Sequence, residues 1–201
     1  MATKQDRRGR PKGDKRARTR EKLLDAARDL IREQGFERTT LRDIADRAGM
    51  TSGAIYGNFA NRDDLFMALA ERQWGVIKPA FEPGAGFAEL MRALAEATIA
   101  SIPERRVAAV GALTFRSHAL QHEEIRVRVR ESMARGYEDG AAWLRGAIPP
   151  DELPMPAETL VLVINALIEG LLFQHFLTPE LFPEEVFYAA FLALARPRAA
   201  Q

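Results

Sequence analysis

The 201-residue sequence contains no cysteine. This absence excludes disulfides, thiol catalysis, cysteine-ligated zinc and redox sensing through thiols. Histidine is also scarce, with three in the chain, and the sequence has no Gly-rich phosphate loop, no HExxH motif and no GxSxG motif. We therefore predict no enzyme activity, no catalytic site, no resident cofactor and no metal centre. A small helical enzyme with an unfamiliar site is the disfavoured alternative.

Long apolar runs and alternating patterns are missing as well. The most apolar stretch, residues 160–172, is interrupted by Asn165 and Glu169 and is shorter than the roughly 20 residues that a helix needs to cross a bilayer. The basic N-terminus has no apolar stretch behind it, unlike a signal peptide. No segment alternates between polar and apolar residues as a strand does. These features predict a cytoplasmic, all-α protein without a membrane segment.

The basic charge is concentrated at one end of the chain. Residues 1–22 hold ten of the 29 Lys and Arg residues but only three of the 28 Asp and Glu residues. A basic arm on a mildly acidic body is typical of a nucleic-acid binder, although a solubilising tail has the same composition. We expect residues 1–18 to form a flexible arm. Within it, Arg8 and Arg10 belong to an Arg-Gly-Arg-Pro-Lys segment similar to an AT-hook core, which lies in a narrow A·T minor groove; simple phosphate contacts are an equal alternative.

Residues 39–59 contain the pattern of two short helices joined by a tight turn. The first helix has one apolar stripe, formed by Leu41, Ile44, Ala45 and Ala48. Thr40 can cap this helix, with Asp43 completing an approximate capping box. Gly49 then offers the positive-φ position that ends it.

The second of these helices has an unusual outward side. Thr51 or Ser52 caps it, and only Ile55 and Phe59 look buried. The remaining positions carry small or hydrogen-bonding groups instead of long charged side chains. A helix with such a face can enter a DNA major groove closely. The two helices therefore predict a helix-turn-helix.

The motifs around this helix-turn-helix resemble a known family. They are Gln-Gly-Phe at 34–36, Thr-Thr at 39–40, Asp-Ile-Ala at 43–45, Ala-Gly-Met at 48–50, Ile-Tyr-Gly-Asn-Phe at 55–59 and Asn-Arg-Asp-Asp-Leu at 61–65. This set is similar to the DNA-binding domain of the TetR family of bacterial regulators. The resemblance implies an N-terminal three-helix DNA-binding domain (19–72) and a C-terminal helical ligand-binding and dimerisation domain (73–201).

The same resemblance implies a function and a set of DNA contacts. It implies a homodimeric repressor that binds double-stranded DNA at a palindromic operator and is released by a small-molecule effector. A ligand-independent architectural DNA-binding protein is the alternative. Thr40 and Tyr56 are expected to bond phosphates, Arg62 to contact the backbone, Asn58 to pair with adenine and Arg42 with guanine. The expected groove-lining residues are Thr51, Ser52, Gly53, Ala54 and Asn58.

The rest of the chain has helical periodicity broken by proline and glycine. The predicted spans are 19–34 and 61–78 around the helix-turn-helix, then 87–102, 104–119, 123–147, 157–177 and 183–195. The last two are apolar nearly all round, which favours burial by a second subunit over a monomer core. The predicted interface residues are Leu162, Ala166, Gly170, Phe187 and Phe191.

Residues for an effector pocket are chosen by helix face and residue type. They are Met91, Leu94, Thr98, Phe115, His118, Met133, Tyr137, Trp143, Asn165, Glu169 and Phe173. Asn165 and Glu169 lie one turn apart inside an apolar helix, so they must find partners. A ligand group would satisfy them, but a hydrogen bond to another helix or across the dimer is the favoured explanation. His118 and His122 have metal-like spacing but no clear third ligand.

Overall fold

A computed structural model describes residues 12–82 and 84–195 of the chain. Throughout these residues the secondary structure is helical, with no strand, which confirms the all-α prediction. The chain divides into two compact units, and the break falls between Arg72 and Gln73. Arg8 and Arg10 lie outside the described residues, so the AT-hook interpretation stays a prediction.

The first unit contains a long helix, the helix-turn-helix and a closing helix. These are α1 (Lys12–Gln34), α2 (Leu41–Arg47), α3 (Ser52–Tyr56) and α4 (Arg62–Gln73). The predicted start of α1 near residue 19 was wrong, because the helix already begins at Lys12. The low apolar content of this segment suggested a flexible arm, but Lys, Arg and Ala are strong helix formers.

The predicted local signals of the helix-turn-helix are confirmed. The Thr40 hydroxyl accepts the Asp43 N–H at 3.2 Å, and the Asp43 carboxylate accepts the Thr40 N–H at 3.1 Å, which is a reciprocal capping box. Gly49 has a φ of +66°, a value that glycine adopts without the steric cost of a side chain. Thr51 caps α3 through the N–H of Ala54 at 3.3 Å.

The core of the first unit is formed by all four helices. Leu23 of α1, Ile44 of α2, Ile55 of α3 and Leu65 of α4 are each at most 1% exposed. Phe36, between α1 and α2, is also buried, and its ring lies 4.5 Å from that of Phe66.

The second unit consists of five α-helices and one short 3-10 helix in the described chain. These are α5 (Phe87–Ala100), α6 (Ile102–Gln121), α7 (Glu123–Ala147), the 3-10 helix Pro150–Glu152, α8 (Ala157–Leu177) and α9 (Glu184–Leu194). The bounds of α7 and α8 match the prediction. Pro103 was expected to separate two helices, but it lies in the first turn of α6, where the missing N–H of proline costs nothing.

Helix α4 also differs from its predicted length, since it ends at Gln73 instead of residue 78. The carbonyl of Gly75 accepts a hydrogen bond of 2.6 Å from Arg105 of α6. Glycine and the β-branched residues that follow it disfavour a helix. The segment after α4 is therefore non-helical, and Gly75 in it is held by Arg105 of the second unit.

The helices of the second unit pack in pairs, α5 on α9 and α7 on α8. The α7–α8 approach is close, since a Cβ at Gly140 would lie 3.2 Å from Cγ1 of Val161. The core includes Leu90, Met91 and Phe191, each of which is 0% exposed.

Helix α8 is long and strongly apolar. It spans 21 residues, and its most apolar 18-residue window has a mean hydropathy of 1.9, so it passes a length and composition test for a membrane span, contrary to the expectation that this segment is too short. Core helices of soluble proteins pass the same test. Asn165 and Glu169 in its middle are bonded to α7 and α6. We therefore interpret α8 as a helix packed within the second unit and not as a membrane span.

Candidate nucleic-acid interface and effector site

The outward face of α3 is accessible, as the sequence predicted. Thr51, Ser52 and Gly53 are exposed, and Ala54 is half-buried. Tyr56 is 62% exposed, so its ring is not part of the core. This face offers hydroxyl groups and backbone without any large charged side chain.

Arg42 of α2 extends into solvent from the same helix-turn-helix. Its side chain is 87% exposed, and its nearest carboxylate is that of Asp46 at 4.0 Å. An ion pair of this length on an exposed surface contributes little. The guanidinium is therefore free to form the paired hydrogen bonds that guanine accepts.

Thr40 uses its hydroxyl inside the unit. The hydroxyl donates to the Asp43 carboxylate at 2.7 Å, and these hydrogen bonds hold the pKa of Asp43 below its ordinary value. A phosphate oxygen needs a donor, so a phosphate must compete with Asp43 for the one hydroxyl proton of Thr40.

The proposed base contact of Asn58 is contradicted by its packing. Its Nδ2 atom donates to the carbonyl of Ala54 at 2.8 Å, and its Oδ1 atom is buried. Bidentate recognition of adenine requires both amide atoms to be accessible. Because Asn58 lies four residues after Ala54, its amide closes the end of α3 instead.

The expected backbone contact of Arg62 is also replaced by contacts inside the unit. The guanidinium donates to the carbonyls of Thr39, at 3.1 Å, and Phe36. It also lies over the rings of Phe36 and Phe66, 4.5 and 4.7 Å from their centroids. Arg62 therefore joins the start of α4 to the segment between α1 and α2.

Two arginines of α1 contact the residues that directly follow α3, which the sequence interpretation missed. Arg16 donates to the carbonyl of Gly57 at 3.2 Å, and Arg20 donates to that of Asn58 at 3.3 Å. Arg20 also lies 4.4 Å from the ring centroid of Phe59. The i, i+4 spacing of the two arginines was the available signal, but it has meaning only once the helix is known to start before them.

In the second unit, three predicted effector residues share one stripe of α8. They are Asn165, Glu169 and Phe173, spaced four residues apart. Asn165 donates to the hydroxyl of Tyr137 on α7 at 3.2 Å. Glu169 accepts two hydrogen bonds from Arg116 on α6, at 2.9 and 2.5 Å. These contacts confirm the interpretation that both polar residues bond to other helices.

Aromatic rings continue this stripe towards the segment after α4. The Trp74 ring stacks on Phe173 with centroids 4.9 Å apart and an interplanar angle of 8°. The guanidinium groups of Arg105 and Arg116 lie 5.3 and 5.5 Å from the Trp74 ring centroid. Arg105 is only 8% exposed, and burial lowers the pKa of its guanidinium.

The other predicted pocket residues differ in their exposure. Met91, Leu94, Thr98 and Phe115 are buried, and the Thr98 hydroxyl donates to the Leu94 carbonyl at 2.7 Å. Met133 and Trp143 are 39% and 48% exposed, and their place in an effector pocket stays a prediction.

The histidine pair does not form part of a larger ligand set. The rings of His118 and His122 lie 4.2 Å apart. Within residues 12–82 and 84–195, no group of three or more His, Cys, Asp or Glu residues is placed to hold a metal ion.

The five predicted interface residues fall into two groups. Leu162, Ala166 and Gly170 are exposed on one stripe of α8. Phe187 and Phe191 are 0% exposed within the core of the second unit, so they are not available to a partner. Helix α9 is apolar on that side because it covers α5, not because it meets a second subunit.

Comparison with known proteins gives two family matches. Residues 23–69 match the model of bacterial regulatory proteins of the tetR family, and residues 87–196 match that of the BetI-type transcriptional repressor C-terminal domain. The HTH-type transcriptional repressor AcnR of Corynebacterium glutamicum is 32% identical over 84 residues, 42% of this chain and 44% of that protein. The chain therefore spans less than half the length of that curated relative.

Longer matches have lower identity. The HTH-type transcriptional regulator SrpR of Pseudomonas putida is 25% identical over 158 residues, 78% of this chain and 74% of that protein. The fold matches a SmeT–triclosan complex, with a TM-score of 0.58 and 19% identity over 92% of this chain and all of that one. It also matches the multidrug binding protein EbrR complexed with imidazole, with a TM-score of 0.61 and 22% identity over 91% and 93% of the two chains.

The C-terminal match alone covers more than half of the 201 residues. The N-terminal match covers the helix-turn-helix whose caps and exposed face are described above. The chain belongs to the TetR family of bacterial regulatory proteins.

Proposed function

We propose that the protein is a cytoplasmic, DNA-binding transcriptional repressor. It binds a palindromic operator as a homodimer and is released when a small-molecule effector binds the second unit. The observation that carries the proposal is the exposed face of α3, which is small and polar within a well-capped helix-turn-helix. The relatives named as repressors support the direction of regulation.

The DNA contacts follow from the accessibility of each side chain. Tyr56 donates to a phosphate, Arg42 reads a base edge, and the start of α3 lines the groove. Asn58 and Arg62 act indirectly, because their contacts hold α3 and α4 in place. The groove-lining residues are Thr51, Ser52, Gly53 and Ala54.

The homodimer is supported by the exposed stripe of α8. Only 22% of the most apolar window of α8 is buried in the single chain. Apolar surface of this kind is normally covered, and small residues at positions 166 and 170 allow a second α8 to approach closely. A twofold dimer brings two copies of α3 to successive major grooves, about 34–36 Å apart.

Effector release is supported by the polar stripe of α8. A ligand in contact with Glu169 must compete with Arg116, whose guanidinium also lies against Trp74. Trp74 directly follows the last residue of α4, so a displacement of Trp74 is transmitted along the backbone to the DNA-binding unit. Coupling of this kind requires two states of the protein with different ligand affinity. The triclosan and imidazole complexes of similar folds support a small-molecule effector.

The experiment is selection of bound sequences from a random duplex pool at physiological salt. We expect enrichment of a palindrome whose half-sites are separated by about one helical turn. Enrichment of A·T-rich DNA without symmetry would instead support the architectural protein. The matched control is Ser52→Trp, which blocks the groove-facing start of α3 and should abolish enrichment while the protein stays helical.

A further inference from the structure

A shallow depression lies between α1 and the end of α3, and the helix-turn-helix prediction does not include it. Its volume is about 300 Å³. Three residues of α1, Lys15, Arg16 and Thr19, form one wall. Gly53, Ala54, Gly57 and Asn58 form the other. The depression therefore borders the groove-lining residues of α3.

The charge of this depression has one sign. Two of its wall residues are cationic, and none of the residues that line it is acidic. The Lys15 side chain is exposed. Arg16 donates one N–H to the Gly57 carbonyl at 3.2 Å, which leaves other guanidinium donors for a second acceptor. A single anionic group is the complementary ligand.

The shape of the opposite wall suits a close approach by a polymer backbone. Gly53 and Gly57 are exposed and have no side chain, and Ala54 has only a methyl group. When α3 lies in a major groove, the sugar-phosphate backbones form the two rims of that groove. A residue beside α3 is then next to a phosphate and not next to a base.

We propose that this depression binds a phosphate of the operator backbone, with Lys15 as its ionic contact and Arg16 adding a second cation. This inference rests on the proposed function and adds a contact outside the helix-turn-helix. It differs from binding by a flexible arm, because residues 15 and 16 are already fixed in a folded helix. The entropy of ordering their backbone has been lost on folding and does not oppose binding.

The test is the salt dependence of operator binding. Each phosphate neutralised by a protein cation contributes roughly 0.9 to the slope of log K against log salt. We expect Lys15→Gln to reduce the slope by about one, equally on the selected operator and on a shuffled duplex. The double variant Lys15→Gln/Arg16→Gln should reduce it further.

The matched control is Arg32→Gln. Arg32 is exposed on the same helix, seventeen residues further along and therefore about 25 Å away at 1.5 Å per residue. Its loss changes the net charge by the same amount but should leave the slope unchanged. Circular dichroism melting curves identify any variant that fails to fold.

Two outcomes overturn the inference: an unchanged slope in Lys15→Gln, or an equal decrease in Lys15→Gln and Arg32→Gln. Neither outcome affects the proposed function, which depends on palindrome selection by the unmodified protein. Palindrome selection could fail while Lys15→Gln still reduces the slope on an arbitrary duplex. That result would support the phosphate site and contradict sequence-specific operator binding.

Discussion

Helices α3 and α8 are both poorly covered by the rest of the chain, yet their exposed faces have opposite chemistry. The exposed side of α3 carries hydroxyl groups, glycine and a tyrosine, whereas that of α8 carries Leu162, Ala166 and Gly170. A polyanion binds well to a surface that offers hydrogen-bond donors and allows the backbone to approach closely. A second protein surface packs well on a face that offers apolar area and small side chains. The chemistry of an uncovered helix therefore indicates which class of partner covers it.

The largest expected effect is on the uncovered face of α8. Ala166→Arg should raise the dimer dissociation constant by roughly 100-fold or more, because the twofold axis brings two unpaired charges into an apolar interface. Sedimentation velocity measures the change. Ala134→Arg, at an exposed alanine of α7, is the control and should remain dimeric. A dimeric Ala166→Arg protein would show that this face of α8 is not the interface.

The next prediction separates residues that contact DNA from residues that stabilise the fold of the first unit. Arg62→Ala should lower the free energy of unfolding by about 2 kcal/mol, since the guanidinium donates to two carbonyls of the first unit. Thermal and urea unfolding measure the loss. Arg42→Ala should leave stability unchanged because its side chain is in solvent. Weaker DNA binding by Arg62→Ala at unchanged stability would restore the phosphate contact expected from the resemblance.

Tyr56→Phe tests the polar face of α3 with the loss of one oxygen atom. We expect binding to weaken by about 1 kcal/mol, roughly fivefold, and to weaken similarly on all duplex sequences because a phosphate carries no base identity. Fluorescence anisotropy on the operator and on single-base variants measures this. A change in base preference would instead place the hydroxyl on a base edge.

A smaller effect is expected at the polar stripe of α8. The side chains of Arg116 and Glu169 are 38% and 27% exposed, so Glu169→Gln should cost less than about 1 kcal/mol of stability. Burial, followed by the charge of Glu169, raises the pKa of Tyr137. Glu169→Gln should therefore lower that pKa towards its ordinary value, as measured by ultraviolet titration. An unchanged Tyr137 pKa would show that the Glu169 charge is screened from it.

The smallest effect concerns the capping box of α2. Hydrogen bonds from Thr40 lower the pKa of Asp43, so the charged carboxylate stabilises the folded state above the ordinary pKa of 3.8. This contribution is lost as the pH falls through the lower, folded-state pKa. Thr40→Val should raise the pKa of Asp43, which a carbon-detected titration measures. An unshifted pKa would mean that another group stabilises the carboxylate.

Local signals in the sequence predicted the helix-turn-helix well. A capping box and a positive-φ glycine each depend on a few neighbouring residues, so Thr40, Asp43 and Gly49 were identified without tertiary information. The bounds of α7 and α8 were predicted for a similar reason, since prolines lie between them. The start of α1 was missed because its charged residues favour both a solvated arm and a helix.

Contacts between distant residues were not predictable from residue type. Arg62 had the chemistry of a phosphate ligand, but carbonyl groups 23 and 26 positions earlier hold it. Phe187 was assigned to the interface because α9 is apolar on all sides. A helix that is apolar on all sides does not reveal which side packs against the core of its own chain. Glu169 and Asn165 were expected to have partners, but only the fold identifies Arg116 and Tyr137.

The packing of Trp74 also makes the protein its own optical reporter. Both tryptophans of the chain, Trp74 and Trp143, belong to the second unit, whereas Tyr56 is the single tyrosine of the first. Indole emission therefore follows the second unit alone, and the stacked environment of Trp74 makes its emission sensitive to displacement from Phe173. Unfolding and effector binding in one half of the molecule can thus be followed by light without any label in the DNA-binding half.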